Sequence, residues 1–148
     1  MKKIIFVCHG SICRSPAAEF IFKDEIKRRG LDNEFSSTSL ALSNEEIGNG
    51  IYPPMERVLI QKGITIYPHT SRRLTQEDLD GCDYLFYMDN SNKRILSYLV
   101  NDKDSKCKPL SFYSPSIGEI EDPWYSDRYG KVVDEIKECI NDILLNIK

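Results

Sequence analysis

The sequence lacks the features that mark several large classes of protein. Its longest apolar run near the amino end, residues 4–8, is too short for a secretory signal or a membrane-spanning helix. The net charge of −3 gives no excess of positive charge, so a broadly nucleic-acid-binding surface is not expected. The five cysteines are an odd number and form no C-x-x-C pair, which favours free thiols in a reducing, cytoplasmic setting over a metal site.

What is present is the composition of an ordinary globular domain. The chain has 148 residues, of which 41% are hydrophobic and 29% are charged. This length allows a sizeable core without disulfides or a structural metal. The sequence therefore predicts a single domain over residues 1–148, with no membrane or nucleic-acid partner.

Predicted strands alternate with predicted helices along the chain. Strands are predicted over residues 3–8, 35–42, 84–88 and 107–110. Helices are predicted over residues 17–29, from residue 53 up to a stop at residue 63, briefly from residue 75, and over 90–100 and 128–147. Residues 111–125 are predicted to form a long loop. This alternation predicts a three-layer α/β fold with a mostly parallel sheet and helices on both faces.

The turn after the first predicted strand carries a cysteine and an arginine separated by five residues. A loop that leads from a strand into the amino end of a helix points successive backbone N–H groups at one centre, which suits a phosphate. Cys8 would lie at the base of these donors as a thiolate nucleophile, and Arg14 would bind two phosphate oxygens as a fork. The Ser15 hydroxyl could donate to the sulfur. The predicted phosphate-binding residues are His9, Gly10, Ser11, Ile12, Cys13, Arg14 and Ser15.

A thiolate nucleophile also needs a proton donor for the leaving group. The long late loop offers several carboxyl groups, and Asp122 is the best candidate because Pro123 stiffens the backbone beside it. The adjacent Trp124 and Tyr125 could form the wall of a pocket for a flat substrate ring.

These motifs resemble the low-molecular-weight protein tyrosine phosphatases. The resemblance rests on the run from Val7 to Glu19 and on the distant Asp122-Pro123-Trp124-Tyr125, and it covers essentially the whole chain. It implies a four-stranded parallel sheet with helices on both faces and neither metal nor organic cofactor. It also implies Cys8 as nucleophile, Arg14 as phosphate clamp, Asp122 as general acid and then general base, and Ser15 as partner of the thiolate.

The resemblance assigns further roles and exposes three departures. Cys13 is implied to form a protective disulfide with the nucleophile under peroxide, and Ser39 and His69 are implied to support the loop. Ser11 stands where the family usually has Asn in a left-handed conformation, so we expect a slightly less rigid loop. Glu45 stands where an aromatic is frequent, and Trp124 stands where Tyr is common. The expected substrate rim is Glu45, Ile51, Trp124 and Tyr125.

The leading hypothesis is a protein-tyrosine phosphatase that acts on phosphotyrosine proteins or small aryl phosphates. An arsenate reductase would need a pair of closely spaced cysteines downstream, whereas Cys82 is followed by no cysteine until Cys107. A protein-arginine phosphatase is implied to carry Thr where Ile12 stands, and an apolar side chain suits an aromatic ring better. A non-catalytic phosphate-binding module would need neither a nucleophile nor an acid. We further expect inorganic phosphate or sulfate to bind in the loop, and a monomer or weak dimer.

Overall fold

Four parallel strands form one sheet in which the first strand of the chain is central. The computed structural model describes residues 1–147 and places the strands at β1 (Lys2–Cys8), β2 (Phe35–Ala41), β3 (Tyr84–Tyr87) and β4 (Cys107–Pro109). Their order is β2-β1-β3-β4, and all pairings are parallel. Residues 4–8 of β1 are buried on both faces of the sheet, which explains their continuous apolar run. The predicted four-stranded parallel sheet is confirmed.

Helices cover both faces of this sheet and create two separate cores. The helical segments are α1 (Arg14–Arg28), α2 (Pro53–Gln61), α3 (Gln76–Gly81), α4 (Asn90–Leu99), a 3₁₀ turn (Leu110–Tyr113), α5 (Pro123–Ser126) and α6 (Tyr129–Ile147). Phe6 of β1 packs with α1 and α6 in the larger core, whereas Val7 packs with Leu79 of α3 and Leu96 of α4 in the smaller one. Because successive side chains of β1 point to opposite faces of the sheet, each face of the sheet has its own core and its own layer of helices. Within residues 1–147, none of the helices combines the length and apolarity needed to cross a bilayer.

The helix after the turn begins earlier than predicted. Arg14 is its first residue and Cys13 is the N-cap residue, without a side-chain capping bond, whereas the sequence predicted a helix from residue 17. Pro16 is the third residue of α1 and is tolerated there because the N–H groups of a first turn have no acceptor within the helix. Arg14 consequently projects from the first turn of α1.

The segment predicted as a long loop after β4 is partly helical. It contains the 3₁₀ turn and the single turn of α5. Asp122 caps α5 by accepting a hydrogen bond from the Trp124 N–H at 3.0 Å. Proline at the start of α5 and an acidic residue before it are typical of a helix amino end, so this prediction missed a local signal.

Backbone hydrogen bonds tether residues 69–74 beside the end of β2. The Ala41 N–H donates to the Arg72 carbonyl and the Leu74 N–H donates to the Ala41 carbonyl, each at 2.8 Å. The Gly48 N–H donates to the Ser71 carbonyl at 2.9 Å. This tether brings residues from the middle of the chain to the carboxyl end of the sheet, next to the turn after β1.

Candidate active site

The loop that connects β1 to α1 leaves a row of backbone donors without protein acceptors. We call residues 8–15 the Cys8 loop. In the described chain, the N–H groups of residues 10–13 donate no hydrogen bond to any other residue. Unpaired backbone donors at the amino end of a helix attract an anion. The Cys8 loop therefore has the local structure of a phosphate site.

Cys8 lies at the base of this loop and is almost completely buried. Its Sγ accepts a hydrogen bond from the Ser15 N–H at 3.5 Å and lies 3.2 Å from the Ser15 Oγ. The Ser15 hydroxyl also donates to the Ser11 Oγ at 3.0 Å. The Ser15 N–H and hydroxyl are therefore the polar groups in contact with the sulfur.

Side chains from two distant segments hold the shape of the Cys8 loop. His69 Nε2 donates to the Ser11 carbonyl at 2.6 Å, and Ser71 Oγ donates to the Gly10 carbonyl at 2.7 Å. Ser39 Oγ lies 3.3 Å from His69 Nδ1 and donates to the buried Glu19 carboxylate at 2.6 Å. Because His69 and Ser71 donate to the loop carbonyls, the loop N–H groups are left to face the anion.

Ser11 adopts the left-handed backbone conformation that its position requires, with φ of 54°. Such a φ is uncommon for serine. The Ser11 side chain contacts the Ser15 hydroxyl, while Ser39 bonds to Glu19 and His69 instead. The Ser11 side chain therefore contacts Ser15 but neither Ser39 nor the His69 ring.

Arg14 is buried, and its guanidinium is aligned by acceptors that lie far away in the sequence. Nη1 donates to Asp89 Oδ2 at 2.7 Å and to the Ile120 carbonyl at 2.8 Å, while Nη2 lies 3.7 Å from Asp122 Oδ2. Burial alone would lower the pKa of Arg14, but the negative charges of Cys8, Asp89 and Asp122 hold it above its ordinary value. The guanidinium therefore remains charged and faces the same space as the Cys8 loop.

Asp122 lies near Arg14 at the mouth of the site, with 29% of its side chain exposed. Its Oδ1 accepts the capping hydrogen bond from Trp124, which leaves Oδ2 directed towards the guanidinium. The buried Pro123 fixes the next turn of backbone. Asp122 is therefore held in place and still open to water.

These elements enclose a cavity of about 190 Å³. It is lined by Cys8, His9, Gly10, Ile12, Cys13, Arg14, Glu45, Glu46, Asp122, Trp124 and Tyr125. Of the predicted site residues, Ser11 and Ser15 lie buried beneath the loop and do not line the cavity. Ile51, predicted at the rim, is half-buried and packs against the larger core instead of lining the cavity. Trp124 is about half exposed and packs on Tyr52 with ring centroids 4.9 Å apart.

Sequence reasoning missed four residues that shape this site. Asp89 holds Arg14, Glu19 and Ser71 support the Cys8 loop, and Glu46 lines the cavity. Asp89 follows directly after the third predicted strand, so its place at the carboxyl edge of the sheet was a usable signal. Ser71 and Glu19 gave no such signal. No group of three or more metal-ligating side chains is clustered in residues 1–147.

The family model described as "Low molecular weight phosphotyrosine protein phosphatase" matches residues 3–148. The chain belongs to this family. Among curated relatives of this phosphatase, the low molecular weight protein-tyrosine-phosphatase YfkJ of Bacillus subtilis is 31% identical, with 100% of this chain and 97% of the relative covered. The human low molecular weight phosphotyrosine protein phosphatase is 37% identical, and the match covers 85% of this chain and 82% of the human protein.

Solved structures give the same result for the fold. The crystal structure of YfkJ superimposes with a TM-score of 0.94 at 31% identity, and the match covers 99% of this chain and 94% of the YfkJ chain. A protein tyrosine phosphatase from Entamoeba histolytica, crystallised with Hepes in its active site, superimposes with a TM-score of 0.92 at 26% identity. The match covers 99% of this chain and 97% of the Entamoeba chain. This member of the phosphatase family is a protein-tyrosine phosphatase, which confirms the leading hypothesis over the protein-arginine phosphatase and arsenate reductase alternatives.

Proposed function

We propose that Cys8, Arg14 and Asp122 hydrolyse phosphotyrosine, in proteins or in small aryl phosphates, by two successive displacements at phosphorus. The observation that carries this proposal is the position of the Cys8 sulfur beneath the unpaired N–H groups of residues 10–13, with the Arg14 guanidinium beside them. A phosphate bound by those donors would present its phosphorus to the sulfur. The same donors would bind inorganic phosphate or sulfate.

In the first step, the Cys8 thiolate attacks phosphorus while the bond from phosphorus to the phenolic oxygen breaks. Asp122, protonated, gives its proton to that oxygen, and tyrosine leaves as a neutral phenol. Arg14 and the loop N–H groups stabilise the equatorial oxygens in the transition state. The products of this step are tyrosine and a phosphate ester of the cysteine.

In the second step, water attacks the cysteinyl phosphate. The Asp122 carboxylate accepts a proton from this water, phosphate forms, and the bond from phosphorus to sulfur breaks to return the thiolate. The Ser15 hydroxyl, 3.2 Å from the sulfur, would turn its proton from Ser11 to the departing Cys8. We further propose that residues 1–148 act as one catalytic domain, because β1 contributes to both cores and leads directly into the site.

The acid role of Asp122 predicts a dependence on the leaving group. For Asp122→Asn, we expect kcat/KM to fall by about 10²- to 10³-fold for phenyl phosphate, and clearly less for para-nitrophenyl phosphate, whose phenolate needs little protonation. The ratio kcat/KM reports the first step, in which the phenol leaves.

Asp127→Asn is the matched control for this experiment. Asp127 is an exposed acid close by in the sequence, with φ of 61°, a conformation that Asn tolerates. Its replacement should leave both substrates within about twofold of wild type. Equal losses for the two substrates in Asp122→Asn, or an unchanged rate with phenyl phosphate, would contradict the acid assignment.

We also propose that Cys13 protects Cys8 from irreversible oxidation. Peroxide converts the Cys8 thiolate to a sulfenic acid; the Cys13 sulfur then attacks this sulfur, the S–S bond forms and water leaves. Burial raises the pKa of Cys13 and the neighbouring Cys8 raises it further, so Cys13 is a thiol beside the Cys8 sulfur.

Peptide mass spectrometry after peroxide treatment should show a Cys8–Cys13 crosslink that dithiothreitol reverses. Cys13→Ser should instead accumulate sulfinic and sulfonic acid at Cys8 and lose activity irreversibly. If the wild type forms no crosslink and overoxidises as fast as Cys13→Ser, Cys13 has no protective role.

A further inference from the structure

One side of the cavity mouth is formed by two adjacent glutamates. Glu45 has 70% of its side chain exposed and lies 3.0 Å from His9 Nε2. Glu46 is half-buried and accepts a hydrogen bond from Asn49 Nδ2 at 2.6 Å. Both residues line the cavity, and we call them the acidic wall.

The acidic wall is built against the Cys8 loop itself. A methyl group added at Gly10 would lie 3.0 Å from Glu46 Cγ, so the aliphatic part of Glu46 packs directly on the loop backbone. His9 holds Glu45 from the same loop. Both carboxylates therefore lie beside the Cys8 loop, at the mouth of the cavity where phosphate would bind.

The acidic wall opposes a phosphate dianion that arrives alone, whereas the loop N–H groups and Arg14 attract it. Glu45 and Glu46 add two carboxylates to a cavity that is also lined by His9, Asp122 and Arg14, and Arg14 is already paired with Asp89. A substrate that carries positive charge next to its phosphate would offset the acidic wall. In a phosphotyrosine peptide, the neighbouring residues are only about 3.8 Å away along the backbone, so a long lysine or arginine side chain there can reach the acidic wall.

We infer that Glu45 and Glu46 select phosphotyrosine sites that have lysine or arginine as immediate neighbours. This inference rests on the proposed function, because it concerns the substrate of the same cavity. Trp124 and Tyr125 supply the apolar contacts to the ring, and the acidic wall supplies the preference among sequences. Since both carboxylates are close to water, the preference should weaken as salt rises.

The test compares three phosphotyrosine peptides that differ only in the two neighbours of the phosphotyrosine, which are lysine, alanine or glutamate. For the wild type at low salt, we expect kcat/KM for the lysine peptide to exceed that for the glutamate peptide by roughly 3- to 10-fold. The double variant Glu45→Gln/Glu46→Gln should bring this ratio close to one. Glu45→Lys should shift the preference towards the glutamate peptide, and thermal unfolding checks that each variant is folded.

The matched control is Glu77→Gln/Asp104→Asn, which removes the same number of negative charges elsewhere. Glu77 lines a surface pocket together with Lys3, and Asp104 lines another together with Lys2. Lys2 and Lys3 begin β1, so both pockets lie at the opposite edge of the sheet from the Cys8 loop. This variant should keep the wild-type ratio. Loss of the ratio in the control, or its survival in Glu45→Gln/Glu46→Gln, would overturn the inference.

Para-nitrophenyl phosphate separates this inference from the proposed function. A wild type that hydrolyses this substrate but treats the three peptides alike retains the proposed function and loses the inference. A wild type that hydrolyses neither para-nitrophenyl phosphate nor any of the peptides contradicts the proposed function itself.

Discussion

Replacing Cys8 with serine is expected to reduce kcat by at least about four orders of magnitude for every phosphate ester tested. A serine hydroxyl in this position is a poor nucleophile, because no base lies within reach to remove its proton: its partners are the Ser15 hydroxyl and N–H. Stopped-flow or discontinuous assays with para-nitrophenyl phosphate measure the loss. No cysteinyl phosphate should be trapped in this variant.

The same variant should still bind inorganic phosphate, since the N–H groups of residues 10–13 and the Arg14 guanidinium do not depend on the sulfur. Isothermal titration should give a dissociation constant within about tenfold of the wild type. Cys107→Ser is the matched control because Cys107 lies in β4, outside the cavity, and is only half-buried. Substantial turnover in Cys8→Ser, or a comparable loss in Cys107→Ser, would remove Cys8 from its proposed role.

Replacing Arg14 with lysine is expected to lower kcat/KM by about 10³-fold. Lysine keeps one positive charge but has no planar fork, so it cannot hold Asp89 and the Ile120 carbonyl while also binding two phosphate oxygens. The loss should fall mainly on kcat, because the equatorial oxygens interact most strongly in the transition state. Phosphate affinity should fall by a smaller factor.

Arg128→Lys controls for the general effect of such a change, since Arg128 is exposed and pairs with Glu121 at 3.0 Å. It should leave kcat/KM within about twofold of the wild type. Thermal unfolding distinguishes loss of function from loss of fold in Arg14→Lys. If phosphate affinity fell as much as kcat/KM in a folded Arg14→Lys, Arg14 would serve binding alone and not the transition state.

The local patterns predicted the fold well where each element had a clear periodicity. The buried run of β1 and the amphipathic face of α6 were recognisable because one strand lies inside a sheet and one helix covers it. The start of α1 was predicted three residues too late, because no side-chain cap marks it. The turn of α5 was missed although Asp122 and Pro123 are typical of a helix amino end.

The sequence by itself determined the Cys8 loop, because its nucleophile, its backbone donors and Arg14 belong to one continuous stretch between a strand and a helix. It also indicated Asp122 by chemistry, but not where that carboxyl lies. Only the tertiary structure decided that Asp89 holds Arg14, that His69 and Ser71 fix the loop carbonyls, and that Glu46 packs on Gly10. These contacts join segments separated by tens of residues. They arise because parallel strands bring their carboxyl ends to one edge of the sheet, and no local pattern specifies which side chains meet there.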